Sequence, residues 1–231
     1  MNLREEEVQV LVGEGVVLEG TRVVPEGAQG VVLFAHGSGS SRHSPRNRYV
    51  AAVLQQAGLA TLLIDLLTAD EEEAERFTRH LRFDIGLLAD RLTGATHWLL
   101  REPRTSSLAI GYFGSSTGAA AALVSAAREP ERIAAVVSRG GRPDLAGEAL
   151  PRVRAPTLLI VGGDDVPVIG MNRAALRLLR TEKQLDIIPG ATHLFEEQGA
   201  LEQVAALAGR WFVHHLTGPG RAWLQDVGPR P

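Results

Sequence analysis

Cysteine is absent from the chain of 231 residues. This absence excludes disulfide bonds, thiolate ligands for a metal ion and a cysteine nucleophile in one step. It also makes the sequence compatible with a reducing compartment, where disulfides are rare. A covalent mechanism in this protein would therefore need a different nucleophile, such as a serine hydroxyl.

Long basic runs and long apolar runs are also missing. The formal net charge is −3, and Lys183 is the only lysine. Proteins that bind nucleic acid or anionic membranes usually carry a strongly basic surface, so neither partner is expected here. No apolar run could span a bilayer, and the acidic start MNLREEEVQV lacks the basic and apolar regions of a secretory signal. We therefore expect a cytoplasmic protein whose partner is a small molecule.

Short apolar runs recur along the chain and alternate with stretches of helical spacing. The strand-like runs are VVLFAHG, LATLLIDL, LAIGYFG, IAAVVSRGG, TLLIVGG and LDIIPG. Buried parallel strands have this composition, and the alternation predicts an α/β fold with helices on both faces of a mostly parallel sheet. Before these runs, VQVLVGEGVVLEGTRVV predicts two strands that form an antiparallel N-terminal hairpin at the sheet edge.

The length and the apolar fraction of 45% are typical of a globular protein with one sizeable core. We expect one domain over residues 1–216 and a C-terminal tail over residues 217–231. In that tail, Trp223 either packs against the surface or moves freely. The charged stretch 68–82 is expected to be a solvated connection or a short helix, and the alternative is a substrate-gating role.

The segment GYFGSSTGAA, residues 111–120, contains the pattern G-x-S-x-G with Ser116 at its centre. A strand-like run precedes it and a helix-like run follows, which is the context in which this pattern forms a sharp nucleophile turn. Glycine at 114 and 118 removes side chains that would collide there, and the start of the helix favours the negative charge of acyl transfer. Ser116, and not Ser115, is the predicted nucleophile. The alternative is a Gly-Ser turn without chemistry.

A nucleophilic serine needs a histidine that accepts its proton and an acid that orients the histidine. In this architecture their order along the chain is serine, acid, histidine. Three histidines follow Ser116, and two of them, His214 and His215, fall in an amphipathic helix. His193 instead lies in a loop directly after a strand-like run, so it is the predicted base.

Several aspartates could supply the acid. PTLLIVGGDDVPV ends a strand in two glycines followed by Asp164 and Asp165, where a carboxylate can meet a base from the next loop. We favour Asp165 over Asp164, with Asp144 as the third choice. Asp65 comes too early in the chain and is expected to cap a turn.

The oxyanion hole requires the backbone N–H after the nucleophile and a second N–H from the loop after an earlier strand. Thr117 supplies the first. For the second we favour the N–H of Ser38 in HGSGSS, with Gly39 as the alternative, because small residues let the backbone approach a ligand closely. His36 in the same loop is expected to be a hydrogen-bonded structural histidine.

Together, the stretches HGSGSS, GSSTG, GGDD and GATHLF resemble the α/β-hydrolase superfamily, and most closely its dienelactone hydrolase-like small esterases. The resemblance extends over about residues 8–216. It implies an α/β-hydrolase fold in which the elbow serine is acylated, the histidine is first general base and then general acid, and the acid orients the histidine. By position these residues are Ser116, His193 and Asp165.

This sequence departs from parts of that superfamily. Dienelactone hydrolases proper use a cysteine nucleophile, so dienelactone itself is not the expected substrate. Epoxide hydrolases and haloalkane dehalogenases need an aspartate at the position of Ser116. Larger lipases carry a cap domain, whereas SRGGRPDLAGEALPRVRAP leaves room only for a short helix, which predicts an open, shallow site. Similar segments also occur beside phosphoribosyltransferases, but a chain of 231 residues leaves no room for that domain.

Four arginines lie in loops expected at the carboxyl ends of the strands, where open α/β sheets bind ligands. They are Arg42, Arg46, Arg139 and Arg142. Either they attract an anionic acyl substrate or they are ordinary surface charge in an arginine-rich chain.

The main hypothesis is a serine carboxylesterase that acts on small, short-chain esters through an acyl-enzyme, without a metal or cofactor. Thioesters, lactones and small amides remain open as substrates. The alternative is a noncatalytic small-molecule-binding protein that keeps the fold, since a fold alone does not establish a function. A nucleotide site is not expected, because GSGSSR lacks the lysine of a P-loop. A homodimer through an edge strand or the final helix is compatible with the sequence.

Overall fold

A computed structural model describes residues 4–78 and 80–217 of the chain. The predicted tail therefore lies outside the described residues, apart from its first residue, and so does Trp223.

The strand-like runs form one sheet, which has eight strands within the described residues. The strands are β1 (Glu6–Gly13), β2 (Val16–Val23), β3 (Gly30–Ala35), β4 (Ala60–Ile64), β5 (Ala109–Ser115), β6 (Ile133–Arg139), β7 (Thr157–Gly162) and β8 (Lys183–Ile188). Their order in the sheet is β1-β2-β4-β3-β5-β6-β7-β8. Strands β3 to β8 are parallel to one another, whereas β1 pairs with β2, and β2 with β4, in the antiparallel sense. The mostly parallel sheet and the antiparallel N-terminal hairpin are thus confirmed.

Helices cover both faces of this sheet. They are α1 (Pro45–Gln56), α2 (Ala69–Thr78), α3 (Ile85–Arg101), α4 (Thr117–Arg128), α5 (Val166–Leu178) and α6 (Ala200–Thr217). Because successive strand side chains point to opposite faces, each central strand contributes to two cores. Val31 and Leu33 of β3 pack with α3 and α4, whereas Val32 and Phe34 pack with α1 and α6. Burial on both faces explains why these strands read as continuous apolar runs.

The charged stretch after β4 contains a helix of ten residues, α2, followed by a 3₁₀ turn at Leu81–Phe83. The buried Glu75 carboxylate accepts hydrogen bonds from the backbone N–H groups of His80, Leu81 and Arg82, and it pairs with the Arg82 side chain at 2.8 Å. The short helix that the sequence allowed is present, and a buried carboxylate organises the turn at its end.

The connection from β6 to β7 contains only a 3₁₀ stretch, Pro143–Arg152. No further domain is inserted within residues 80–217, as the sequence predicts. Because the central strands are parallel, the loops that follow β3, β5, β6, β7 and β8 all emerge at the same edge of the sheet. Ligands bind at this edge in open α/β sheets. In the part of the chain described, no helix combines the length and apolarity needed to cross a membrane.

Candidate active site

Ser116 occupies a strained turn between β5 and α4, with φ 50° and ψ −121°. A positive φ is rare outside glycine and costs about 1–3 kcal/mol, so the surrounding structure must impose it. A Cβ atom added at Gly114 would lie 2.4 Å from Ala119 Cα, and one added at Gly118 would lie 2.3 Å from Ala35 O. Neither contact is tolerable for a real Cβ atom. Both glycines are therefore sterically required to place Ser116 in this turn.

The segment after β6 links this turn to the predicted base. Ser116 N–H donates to the carbonyl oxygen of Arg139 at 3.4 Å, and Arg142 N–H donates to the carbonyl oxygen of Ser116 at 3.1 Å. A Cβ atom added at Gly140 would lie 3.5 Å from Cε1 of the His193 ring. Ser116 and the His193 ring thus both adjoin the segment of residues 139–142.

The His193 ring is hydrogen-bonded to a carboxylate at the end of β7. His193 Nδ1 lies 2.7 Å from Asp165 Oδ2, and the Asp165 side chain is only 12% exposed. A carboxylate oxygen accepts a hydrogen bond from Nδ1–H, so this bond leaves Nε2 of the neutral ring as a proton acceptor. The hydrogen bond therefore holds the neutral His193 ring in one tautomer, with Nε2 unprotonated.

The other candidate acids have different surroundings. Asp164 is exposed, and its N–H donates to Ala191 O at 3.0 Å. Asp144 and Asp65 each form an ion pair with an arginine. Among the four aspartates considered from the sequence, Asp165 is the one that bonds to the His193 ring.

The loop after β3 approaches Ser116 closely. A Cβ atom added at Gly37 would lie 3.0 Å from Ser116 Cβ, which is tighter than most Cβ contacts, so glycine favours this close approach. Ser38 N–H donates to Thr117 Oγ1 at 3.0 Å, and Gly39 has a positive φ of 72°. Thr117 is the first residue of α4, whose initial N–H groups have no partner within the helix. The two predicted sources of oxyanion donors thus lie side by side, with the Ser38 N–H already engaged by the Thr117 hydroxyl.

His36 has the structural role expected from the sequence. Its Nδ1–H donates to Gly37 O at 2.9 Å, and its Nε2 accepts from Leu66 N–H at 3.0 Å. Burial lowers the pKa of His36, which favours this neutral form. Both ring nitrogens are occupied, so His36 ties the loop after β3 to the end of β4.

A sequence model of the dienelactone hydrolase family matches residues 18–213 of the chain. The chain belongs to the dienelactone hydrolase family. A crystal structure of dienelactone hydrolase from Anabaena variabilis is 68% identical and covers 94% of this chain and 100% of its own, with a TM-score of 0.92. Est1E from Butyrivibrio proteoclasticus shares the fold at 15% identity and a TM-score of 0.74, over 90% of this chain and 98% of its own. The predicted α/β-hydrolase fold is thus confirmed, and the family supports hydrolase activity.

A curated relative is named as a transferase and not as a hydrolase. This chain is 60% identical over 218 residues to a putative phosphoribosyl transferase of Mycobacterium tuberculosis. The match covers 94% of this chain but 48% of that protein. The chain thus spans about half the length of the curated relatives that it matches.

In this dienelactone hydrolase-family chain, three of the four candidate arginines are paired with carboxylates. The pairs are Arg42 with Asp65 and Glu7, Arg46 with Glu196, and Arg142 with Asp144. The charges that the sequence offered for an anionic substrate are thus largely compensated within the protein.

Arg139, the fourth arginine, is only 6% exposed, and its hydrogen-bond acceptors are neutral. Its Nη2 donates to Ser115 Oγ at 2.9 Å and to Asn47 Oδ1 at 3.3 Å, and the guanidinium lies over the Phe195 ring. Burial, together with the nearby charge of Arg46, lowers the pKa of Arg139 to about 10. The Arg139 side chain therefore packs next to Ser115, between α1 and the loop that carries His193.

Sequence reasoning missed the residues that shape the His193 loop. Glu197 accepts hydrogen bonds from Thr192 N–H at 3.1 Å and from the Thr192 hydroxyl at 2.6 Å. These bonds lower the pKa of Glu197. Phe195 is buried and has a positive φ of 55°. The loop is thus closed by a carboxylate and anchored by an aromatic ring. Phe195 ends the stretch GATHLF, but the sequence by itself assigned a role only to His193 in that stretch.

A cavity of about 530 Å³ adjoins the loop after β3. Its lining includes Ser40, Ser41, Arg42, Asp65 and Leu67. Within residues 4–78 and 80–217, no group of three or more His, Asp or Glu side chains is arranged to hold a metal ion.

Proposed function

We propose that the protein is a serine-dependent acyl hydrolase that acts on small, short-chain esters through a covalent acyl-enzyme. Ser116 is the nucleophile, His193 the general base and acid, and Asp165 the residue that orients His193. The observation that carries this proposal is the 2.7 Å hydrogen bond between His193 Nδ1 and Asp165, beside the segment that is hydrogen-bonded to Ser116. This bond leaves Nε2 free to accept the serine proton.

In the acylation step, Ser116 Oγ attacks the carbonyl carbon of the ester while its proton moves to His193 Nε2. The carbonyl oxygen becomes an oxyanion, which is stabilised by Thr117 N–H and by the loop that holds Ser38 and Gly39. The tetrahedral intermediate then collapses and expels the alcohol, which takes the proton from His193. The product of this step is an ester of Ser116 with the acyl group.

Water completes the reaction in the deacylation step. His193 Nε2 takes a proton from the water as its oxygen attacks the acyl carbon, and a second oxyanion forms at the same donors. Collapse returns the proton to Ser116 Oγ and releases the carboxylic acid. The short connection from β6 to β7 leaves the site uncapped, which suits small substrates with an exposed leaving group.

The transferase named in the mycobacterial relatives fits the remainder of those proteins better. This chain matches the model of a hydrolase family, and 52% of the relative (100% minus 48%) lies outside the part that this chain matches. We assign any phosphoribosyl transfer to that other part.

Labelling with a fluorophosphonate tests the proposal directly, because this reagent forms a stable adduct only with an activated serine. Intact-mass spectrometry and peptide mapping locate the adduct, and p-nitrophenyl acetate and p-nitrophenyl palmitate report turnover of short and long acyl chains. We expect one adduct on Ser116 and faster turnover of the acetate. Ser116→Ala should abolish the adduct and lower kcat by at least about 10⁴-fold.

Ser115→Ala is the matched control, since Ser115 is buried and bonded to Asn47 and Arg139. This variant should keep the adduct at Ser116. An adduct on another residue, or substantial turnover by a folded Ser116→Ala protein, would refute the assignment. Folded wild-type protein that forms no adduct would favour the noncatalytic binding protein.

A further inference from the structure

The hydroxyl of Thr117 is a buried group whose proton has no role in the mechanism above. The residue is only 3% exposed, and Thr117 Oγ1 accepts the Ser38 N–H at 3.0 Å. The hydrogen bonds among residues 4–78 and 80–217 include no acceptor for the Thr117 hydroxyl proton itself. A buried hydroxyl normally donates a hydrogen bond through its proton. For the Thr117 hydroxyl, we expect the acceptor of that bond to arrive with the substrate.

The position of this hydroxyl indicates what that acceptor is. Thr117 directly follows the nucleophile, and its own N–H is one of the proposed oxyanion donors. Oγ1 is joined to that nitrogen through only Cα and Cβ, a span short enough for the N–H and the hydroxyl of one residue to share an acceptor oxygen. On its other side, Oγ1 accepts the N–H of Ser38 in the loop after β3, the loop proposed above to hold the remaining donor.

The Ser38 N–H also changes the character of the Thr117 hydroxyl. A hydroxyl that accepts a hydrogen bond becomes polarised and donates more strongly through its own proton. In this arrangement, Ser38 contributes to the site through the Thr117 side chain. A fixed N–H···O bond also holds Oγ1 in place before the reaction, so that little reorganisation is needed when the negative charge develops.

We propose that the Thr117 hydroxyl is a third donor to the oxyanion, beside the Thr117 N–H and a backbone N–H of the loop after β3. This inference rests on the proposed function, because it requires an oxyanion on a carbonyl carbon attacked by Ser116. It makes the Thr117 side chain a catalytic residue, whereas the sequence motif assigns only its backbone.

Two substitutions separate the hydroxyl from the shape of the side chain. Thr117→Val keeps the branched shape and removes the hydroxyl, and Thr117→Ser keeps the hydroxyl and removes the methyl group. The measurements are kcat and KM for p-nitrophenyl acetate, and Ki for phenylboronic acid, which forms a tetrahedral anionic adduct with a reactive serine.

For Thr117→Val we expect a fall in kcat of about 10- to 100-fold and a comparable rise in Ki, with KM nearly unchanged. Thr117→Ser keeps the donor, so its kcat and Ki should lie closer to the wild-type values than those of Thr117→Val. A Thr117→Val protein with a kcat equal to or above the wild type would overturn the inference, because the hydroxyl would then only compete for the Ser38 N–H. Equal losses in both variants, accompanied by lower melting temperatures, would also overturn it and indicate a packing role.

Fluorophosphonate labelling of the same samples distinguishes failure of this inference from failure of the proposed function. If Ser116 of the wild type is labelled and Thr117→Val has unchanged kinetics, only the role of the Thr117 hydroxyl as a third donor is refuted. If Ser116 of the wild type is not labelled, the proposed acyl hydrolase function is refuted, and this inference is refuted with it.

Discussion

Asp165→Asn is the substitution that tests the arrangement of acid and base most sharply. The carboxylate of Asp165 accepts a hydrogen bond from His193 Nδ1 at 2.7 Å and is largely shielded from water. An asparagine amide keeps the size of the side chain but can donate to Nδ1. The ring then carries its proton on Nε2, which can no longer accept the proton of Ser116.

The expected loss follows from charge and tautomer together. During the reaction His193 becomes an imidazolium, and its attraction to a carboxylate with charge centres about 4 Å apart is about 4 kcal/mol at an effective dielectric constant of about 20. This energy corresponds to a factor of about 10³ in rate. The unfavourable tautomer adds about another factor of ten, so kcat should fall by about 10⁴-fold, as in other triads.

Asp164→Asn is the matched control, because Asp164 adjoins Asp165 in the chain but is exposed. Its kcat for p-nitrophenyl acetate should stay within about threefold of the wild type. Circular dichroism and thermal unfolding establish that both variants are folded. The reasoning is refuted if Asp165→Asn retains a tenth of the wild-type kcat, or if Asp164→Asn carries the larger loss.

Two further predictions concern stability. Gly118→Ala would place a Cβ atom 2.3 Å from Ala35 O, so it should lower the free energy of unfolding by about 2 kcal/mol and reduce activity. The control Gly170→Ala, with open space around its Cβ, should do neither. Equal urea midpoints in the two variants would contradict this prediction. Burial opposes ionisation of Glu75, but hydrogen bonds from Arg82 and nearby backbone N–H groups lower the pKa of Glu75 to about 2. This ionised carboxylate therefore stabilises the fold above pH 4.5, and that contribution is lost as the pH falls toward 2. Glu75→Gln should be less stable than the wild type at pH 7. The difference between the urea midpoints of the two proteins should shrink between pH 4.5 and pH 3. A difference that stays constant with pH would show that ionisation of Glu75 does not contribute to stability.

The elements of the fold could be predicted because their causes are local. Central strands buried on both faces need continuous apolar residues, and those runs are visible without the structure. The order of the strands is different, because β4 lies between β2 and β3 in the sheet. That order depends on how the helices pack on the two faces, which no single run encodes. For the stretch 68–82 the sequence allowed a short helix but did not show the buried Glu75, whose bonds to residues 80–82 order the turn after that helix.

The candidate site divides in the same way. The sequence by itself determined the elbow, since glycine at 114 and 118 is a steric requirement of the turn around Ser116. The sequence favoured Asp165 over Asp164, but only the tertiary structure showed the hydrogen bond between Asp165 and His193, which lie 28 residues apart. The tertiary structure alone showed the bond of the Ser38 N–H to the Thr117 hydroxyl, which joins groups 79 residues apart. A local pattern states which groups the backbone can present, whereas their hydrogen-bond partners come from distant loops that meet only when the sheet is complete.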